Sequence, residues 1–232
     1  MRINIITAFP KIFDSFFSES IISRAQKKEL LSINILNLRD FTYDNHQTID
    51  MRPFGGGPGM ILMVEPIYKA LLSIYPDAVN DVKKFRNRDR NKIVLTSPKG
   101  RKYHQTIAMD YSKLDTLTII CGHYEGVDSR VSENFVDEEV SIGDFILSGG
   151  EAATIVIVDS ITRLLPGSLG NPNSLMHETD QQKGIHEYSQ YTRPQKFITK
   201  DKKTLSVPKI LLSGNHKEIE KWRNFDSAKA SN

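Results

Sequence analysis

Short apolar runs alternate with amphipathic stretches through the first two thirds of the chain, a pattern typical of a parallel sheet whose strands are joined by helices. The centres of the runs are fully apolar, which predicts strands buried on both faces and an α/β fold class. The predicted strands are Arg2–Thr7, Leu31–Asn37, Lys92–Leu95 and Leu117–Cys121. The predicted helices run from Pro10 to about Phe17, from Ile21 to Lys28, from Glu65 to Ile74 and from Gly150 to Arg163, with one more between the last two strands.

Three segments lack helical or strand periodicity. Leu38–Met60 is irregular and glycine-rich, and the polar, charged stretch Pro76–Asn91 predicts a mobile excursion. Ser168–Thr192 is polar and predicts a linker, after which a basic helix is expected from about Gly214 to Phe225. These breaks predict a body at residues 1–165, a flexible linker at 166–192 and a small basic domain at 193–232.

Two glycine-rich turns stand out between the predicted elements. The apolar run Phe145–Leu147, taken as a strand, is bracketed by Gly143 and by the pair Gly149-Gly150. A second strand, Leu117–Cys121, ends at Gly122. Glycine in such positions allows a backbone to approach a bound molecule closely. Together the two turns predict the rim of a ligand pocket at one edge of the sheet.

Composition limits the classes of protein to consider. The 232 residues are 39% hydrophobic, enough for one sizeable core. The single cysteine, Cys121, excludes a disulfide framework and a multi-cysteine metal site, which favours a reducing compartment. No run approaches the roughly 20 apolar residues of a membrane span. We therefore expect a cytoplasmic protein that does not act at a membrane.

Charge is distributed unevenly along the chain. Residues 183–232 carry 11 Lys and Arg against 5 Asp and Glu, whereas the preceding residues carry 20 against 23. A basic tail on a near-neutral body suggests a polyanionic partner, and RNA is the obvious one in the cytoplasm. A lysine-rich end that is merely solvated explains the same numbers.

Several familiar motifs fail on their spacing. Gly55–Met60 has methionine where a dinucleotide-binding loop needs its last glycine, and the chain has no phosphate-binding loop. His123-Tyr-Glu125 lacks the second half of a zinc deaminase motif, and His177-Glu178 lacks the second histidine of a metalloprotease motif. Phosphate-loop and zinc chemistry are therefore not expected.

Taken in order, the remaining motifs resemble those of the bacterial tRNA (guanine-N(1)-)-methyltransferases, the TrmD family of the SPOUT superfamily. The resemblance runs nearly from end to end. It implies a SPOUT-type parallel sheet with a deep trefoil knot, followed by a small, mostly helical C-terminal domain. The motifs that carry it are Arg52–Met60, Ser97–Arg101, Cys121–Gly126, Ser141–Glu151, Asp159-Ser160 with Arg163, Tyr191–Pro194 and Leu211–His216.

The resemblance also implies S-adenosylmethionine as methyl donor, bound by the loops of the knot mainly through backbone groups. A requirement for Mg²⁺ is a further possibility that it raises, although no acidic cluster in the sequence stands out as an ion site. The matching cofactor positions are Leu95, Thr96, Ser97, Pro98, Gly122, Tyr124, Glu125, Ile142, Gly143, Asp144, Phe145, Ile146, Leu147, Gly149 and Gly150.

Methylation of guanine N(1) requires a base for the proton that leaves and a cation near the guanine oxygen. By resemblance the base is an aspartate followed by serine in the linker. Counting from Arg163 without gaps places Glu178 at that position, with Thr179 for the serine. A shifted alignment gives the role to Asp180. Arg163 is the matching cation.

By resemblance the partner is tRNA, and the protein is a homodimer whose active site is shared between chains. The chain stops at Asn232, earlier than the family pattern, which predicts a shortened RNA-binding domain. The expected result is either weaker affinity for tRNA or a larger share of the binding by Arg52, Arg193 and the charged segment near Lys83–Arg90. The candidate RNA-binding residues are Asp50, Arg52, Arg193, Lys209, Lys217, Lys221 and Arg223.

The function implied is transfer of a methyl group to the guanine immediately 3′ of the anticodon (position 37), which supports maintenance of the reading frame. The departures at Glu178 and at the C-terminus leave one alternative, a catalytically impaired SPOUT-fold protein that binds RNA. A knotted methyltransferase acting on ribosomal RNA or a ribose hydroxyl is another, but it leaves Gly55–Gly59 and Tyr191–Pro194 without a role.

Overall fold

A computed structural model describes residues 1–170 and 187–229, and Glu178 and Asp180 therefore lie outside the described residues. The chain divides into two compact units, Met1–Gly170 and Asn171–Asn232. Each unit is described by itself.

The first unit is built on a five-stranded sheet in which every neighbouring pair is parallel. The strand order is β2-β1-β6-β5-β7. Two further short strands, β3 and β4, form an antiparallel hairpin. The strands are β1 Arg2–Thr7, β2 Ser32–Asn37, β3 Asp50–Met51, β4 Ile61–Leu62, β5 Asn91–Lys102, β6 Thr116–Cys121 and β7 Glu138–Ser141.

Helices cover both faces of the sheet, as the apolar strand centres predict. One face packs against α1, α2 and α6 through side chains such as Phe17 and Ile157. The other packs against α3 and α5 through side chains such as Leu71 and Val131. The helices are α1 Asp14–Phe17, α2 Ser20–Lys27, α3 Val64–Ile74, α4 Gln105–Tyr111, α5 Ser129–Asn134 and α6 Glu151–Leu164, with 3-10 turns at Pro10–Phe13 and Leu38–Phe41.

Strand β5 is interrupted where it pairs with β7. Thr96 and Arg101 both lie opposite Val140, so the four residues between them leave the ladder. Within that bulge a β-carbon on Gly100 would overlap the backbone of Glu139 and Val140. Only glycine fits this crossing of two backbones, and the bulge turns the chain out of the sheet beside the ends of β6 and β7.

Two expectations from the sequence are wrong. Pro76–Asn91 is not a mobile excursion: it holds 3-10 turns at Pro76–Ala78 and Val82–Phe85. Phe85 is fully buried, with its ring centroid 5.3 Å from that of Phe135. Phe85 anchors this segment, and the mostly polar composition of residues 76–91 hides that signal in the sequence.

The run Phe145–Leu147 is the second correction. It is a loop rather than a strand, and its three side chains are 41–80% exposed. The strand that precedes it, β7, was not predicted, because Glu138-Glu-Val-Ser141 alternates too briefly to produce a pattern. The glycines on either side therefore flank an exposed loop that leads from β7 into α6.

The second unit has a hairpin, β8 Lys196–Ile198 with β9 Thr204–Ser206, and a helix, α7 His216–Lys229. A 3-10 turn at Lys209–Leu212 lies between them. The sequence predicted the helix but not the hairpin. Tyr191 packs on Trp222 with ring centroids 6.2 Å apart. Within residues 1–170 and 187–229, no helix is both long and apolar enough to cross a membrane.

Candidate functional site

A cavity of about 360 Å³ opens in the first unit where β6 and β7 end and where β5 bulges. Parallel strands bring their carboxyl ends to one edge of a sheet, and ligand sites of α/β proteins lie there. Three stretches distant in the sequence supply the wall. They are residues 95–99 from β5 and its bulge, residues 122–132 after β6, and residues 139–153 from β7 into α6.

The last two stretches meet at a junction that only glycine allows. Gly150 N–H donates to the Gly122 carbonyl over 2.6 Å, and Gly122 N–H donates to the Thr96 hydroxyl over 3.2 Å. A β-carbon on Gly150 would overlap that hydroxyl, and one on Gly122 would lie 2.8 Å from the Thr96 carbonyl oxygen. The junction therefore fixes the backbone of both loops at the cavity wall.

A buried carboxylate lies directly behind this junction. Glu151 is the first residue of α6 and is 3% exposed. Its Oε1 accepts a 2.8 Å hydrogen bond from the Thr7 hydroxyl, and its Oε2 lies 3.3 Å from His123 Nδ1. The Phe9 ring covers His123 at 4.5 Å. The carboxylate also suits the positive end of the α6 dipole.

The lone thiol belongs to the same buried layer. Cys121 Sγ lies 3.2 Å from the Thr154 hydroxyl, which in turn donates to the Gly150 carbonyl over 2.9 Å. Burial, and secondarily the nearby Glu151 carboxylate, raises the pKa of the Cys121 thiol well above its ordinary value. Because thiolate is the reactive form, Cys121 is a packing residue rather than a nucleophile.

All of the cofactor positions predicted from the sequence line this cavity except Asp144. Asp144 instead forms an exposed ion pair with Lys102. The cavity thus brings together the residues of both glycine-rich turns and of the Leu95–Pro98 segment. Phe145, Ile146 and Leu147 contribute from the exposed loop and form an apolar side of the opening.

Sequence reasoning missed several residues of the wall. His123 stood in a motif that was rejected for zinc chemistry, and it was not among the predicted site residues. Glu139 and Ser132 come from β7 and α5, elements that the sequence pattern did not predict. Lys99 lies in the bulge of β5, which no periodicity signals.

The remaining predicted residues are distributed over both units. Arg163 lies half-buried in the last turn of α6, Asp50 is half-buried in β3, and Arg52 is exposed just after it. The cations of the second unit lie on that unit's surface, where Lys221 pairs with Glu218 and the Arg223 guanidinium lies 4.6 Å from the Tyr188 ring. The predicted RNA-binding cations of this unit are all exposed, and they are Arg193, Lys209, Lys217, Lys221 and Arg223.

The acidic side chains on and beside the cavity wall do not form a metal-binding group. Across residues 1–170 and 187–229, no group of three or more His, Cys, Asp and Glu side chains could hold a metal ion. Asp128 caps α5, and the Arg130 guanidinium beside it lowers the pKa of its carboxyl group. The Mg²⁺ requirement stays a prediction from the resemblance.

The sequence is also similar to sequences of known proteins. The family model described as tRNA (Guanine-1)-methyltransferase TrmD matches residues 1–232. The chain is similar to proteins named tRNA (guanine-N(1)-)-methyltransferase from Fusobacterium nucleatum (46% identity over 98% of this chain and 86% of the relative) and Dictyoglomus turgidum (45% over 99% and 86%). It is similar to the protein of that name from Koribacter versatilis, at 44% identity over 96% of this chain and 86% of the relative.

Proposed function

Because the chain belongs to the TrmD family of tRNA (guanine-1)-methyltransferases, we propose that its cavity binds S-adenosylmethionine and directs methylation to N(1) of the guanine immediately 3′ of the anticodon in tRNA. The methyltransferase activity itself follows from membership of the family. The observation that carries the finer proposal is the glycine junction between Gly122 and Gly150, which lines one cavity with the predicted cofactor positions. Modification at this position supports the reading frame.

The cavity fits the proposed methyl donor in size and in charge. Its volume of about 360 Å³ is within the range of small-molecule sites. Glu125 and Glu139 on the wall suit a ligand that carries both a sulfonium and an ammonium charge, while Leu95 and Leu147 offer apolar surface to its adenine. When bound, S-adenosylmethionine supplies an electrophilic methyl group.

The proton on guanine N(1) has to leave as the methyl group arrives, so the site needs a base. We assign that role to Glu178, with Asp180 as the alternative. Arg163, at the end of α6, is proposed to stabilise the charge that builds on the guanine oxygen. The permanent positive charge of Arg163 at the C-terminal end of α6 also suits the negative end of the helix dipole.

A deep trefoil knot in the C-terminal half of the first unit is part of the proposal. Its support is the strand order, which places β5 between β6 and β7, together with the bulge that carries residues 97–100 out of the sheet. The contact of Gly100 with the backbone of β7 supports a close crossing of chain segments. Knots are rare exceptions to the rule that chains do not thread through loops.

The second unit is proposed to hold tRNA through phosphate contacts. Its exposed cations support this role, since Lys and Arg that neutralise phosphates provide most of the sequence-independent affinity. We propose a methyltransferase domain at 1–165, a linker at 166–192 that carries the base, and a tRNA-binding domain at 193–232 that is mostly helical. A tRNA substrate supports a cytoplasmic location.

We also propose a homodimer in which the cavity of one chain works with the linker and tail of the other. Complementation tests this arrangement. A Gly150→Ala chain, defective in the cavity, mixed with a Glu178→Ala chain, defective in the base, regains up to about half of the wild-type activity when sites are shared. Mixed chains that stay inactive, although they form mixed dimers, would rule out sharing.

The experiment that tests the function is methyl transfer from labelled S-adenosylmethionine to unmodified tRNA transcripts. Transcripts carry either the native guanine 3′ of the anticodon or adenine in its place, and cofactor binding is measured separately by calorimetry. Label that depends on the guanine supports the proposal. Cofactor binding without label contradicts it and favours an RNA-binding protein, whereas label unaffected by the replacement assigns a different target.

A further inference from the structure

The hairpin β3–β4 lies beside the cavity. Its loop, Arg52–Met60, joins the two strands of the hairpin, and its second strand is bonded to the loop that follows β6. Leu62 N–H donates to the Gly126 carbonyl over 3.0 Å, and Asp128 N–H donates to the Leu62 carbonyl over 3.0 Å. The hairpin is therefore positioned by the cavity wall itself.

The last residues of the hairpin loop, Gly59 and Met60, also contact the cavity wall. Glu125 N–H donates to the Met60 carbonyl over 3.1 Å, and the Glu125 side chain covers Gly59 so closely that a β-carbon there would overlap it. Gly59 has φ +77°, which an L side chain rarely adopts. Because Glu125 also lines the cavity, the hairpin loop and the cofactor wall share one side chain.

Phe54 projects from this loop with its side chain 100% exposed. Nothing in the first unit packs on its ring, and Arg52, two residues earlier in the chain, is exposed as well. Pro53 and the turn closed by the 3.3 Å hydrogen bond from Gly56 N–H to the Pro53 carbonyl set the position of the ring. A fully exposed phenylalanine near a cation leaves a flat apolar ring face free to contact a partner.

An unstacked base is the partner whose chemistry matches this surface. Proteins that recognise single-stranded RNA stack its bases on aromatic rings, while neighbouring cations meet the phosphates. A guanine that enters the cavity must unstack from the bases on either side of it in the tRNA loop. Those neighbouring bases then lie at the opening of the cavity without one of their stacking partners. Resting on the proposed function, we infer that Phe54 stacks on a tRNA base next to the target guanine and so positions the RNA at the cavity.

The test separates stacking from charge and from simple apolar contact. Phe54→Ala, Phe54→Leu and Phe54→Trp are compared with the wild type for tRNA binding across a salt series and for cofactor binding by calorimetry. Tyr43→Ala is the matched control, since Tyr43 is 80% exposed elsewhere on the first unit and its ring is covered by the Lys69 ammonium at 2.6 Å.

We expect Phe54→Ala to weaken tRNA binding between about 5-fold and about 150-fold, as loss of one stacked base does. Phe54→Trp retains binding and Phe54→Leu does not restore it. Cofactor binding is unchanged, and the slope of log affinity against log salt also stays unchanged because no phosphate contact is lost. Arg52→Ala, by contrast, reduces that slope by about 1 if Arg52 meets a phosphate.

Three results would overturn the inference. The first is tRNA binding by Phe54→Ala equal to that of Tyr43→Ala and the wild type. The second is tRNA binding by Phe54→Leu equal to that of the wild type. The third is a changed oligomeric state of Phe54→Ala in sedimentation, which would assign the ring to an interface between copies. Failure of the proposed function looks different, because the wild type itself would then neither bind tRNA nor transfer the methyl group.

Discussion

Thr7, at the end of the strand β1, donates a 2.8 Å hydrogen bond to Glu151, 144 residues later at the start of α6. The bond ties the sheet to the helix behind the cavity, and His123 lies on the other oxygen of the same carboxylate. Removing the carboxylate leaves buried partners unsatisfied. We expect Glu151→Ala to lower the free energy of unfolding by about 1–3 kcal/mol and to weaken cofactor binding. Denaturant titration and calorimetry measure the two effects.

Thr7→Val is the matched control for that prediction, since it keeps nearly the same shape and leaves both Glu151 and His123 in place. It removes two hydrogen bonds of the hydroxyl group, the one donated to Glu151 and the 2.9 Å bond accepted from Phe9 N–H, and should cost about 1–3 kcal/mol. If Glu151→Ala bound the cofactor as well as Thr7→Val does, the carboxylate would have no part in holding the cavity wall.

Gly150→Ala should abolish cofactor binding while the protein still folds. The added β-carbon overlaps the Thr96 hydroxyl, so the junction with Gly122 opens and the wall shifts. Gly170→Ala is the control, because a β-carbon there has no heavy atom within 4 Å. The double variant Gly150→Ala/Thr96→Ala regains part of the binding in calorimetry. Unaltered binding by Gly150→Ala alone would show that the junction can relax at no cost.

Glu178→Ala should reduce methyl transfer by about 10²- to 10⁴-fold, the contribution of a positioned base. Cofactor binding survives, because the base acts on the tRNA guanine. Single-turnover transfer and calorimetry distinguish the two. Asp180→Ala is assayed in parallel: a loss in that variant with near-normal turnover in Glu178→Ala would move the role by two residues.

Tyr103 predicts a dependence of stability on alkaline pH. Its hydroxyl group meets that of Ser160 at 2.6 Å, and burial raises the pKa of Tyr103 to about 12. The unfolded chain ionises this group near pH 10 while the folded protein keeps its proton. The contribution to stability is therefore complete below about pH 10 and is lost as pH rises toward 12, by about 2–3 kcal/mol.

Denaturant titrations between pH 9 and pH 12 check that sign. Tyr103→Phe keeps the ring and should show a shallower decline of unfolding free energy over this window, at the expense of the hydrogen bond to Ser160 at neutral pH. A decline as steep as that of the wild type would mean that Tyr103 does not account for it.

Phe85→Ala tests whether residues 76–91 are anchored. The buried ring contacts Tyr68, Tyr75 and Phe135, with centroid distances of 5.3–6.5 Å. Its loss should cost about 3–5 kcal/mol, measured by denaturant titration. Val82→Ala, in the same 3-10 turn but 41% exposed, should stay within about 0.5 kcal/mol. Equal costs for the two would restore the expectation of a loosely packed excursion.

The sheet was predictable because its strands have unambiguous apolar centres. Arg2–Thr7 agrees residue for residue with β1, and the predicted helix Gly150–Arg163 differs from α6 by one residue at each end. Strand β7 was missed because two of its four residues are glutamates, of which Glu138 pairs with Lys92 and lies 3.9 Å from Arg101. A local pattern cannot indicate partners that lie so far away in the sequence.

The candidate site was predictable from its glycines, but its supports were not. Gly122, Gly149 and Gly150 predicted a close approach of backbone segments, and all three line the same cavity in the structure. The burial of Glu151 depends on Thr7 and His123, which no spacing relates to it. Side chains that act behind a wall become visible only when the fold is known.

The cavity wall is assembled from residues 95–99, 122–132 and 139–153, and the stretch that closes it is the last to be made. During synthesis, the first four strands of the sheet can pair while β7 and the start of α6 are still in the ribosome. With the cavity as the proposed methyl-donor site, a nascent chain can bind no donor until about two thirds of it has emerged. On that proposal the cofactor stabilises this enzyme only after its sheet has formed, and cannot act as a template for it.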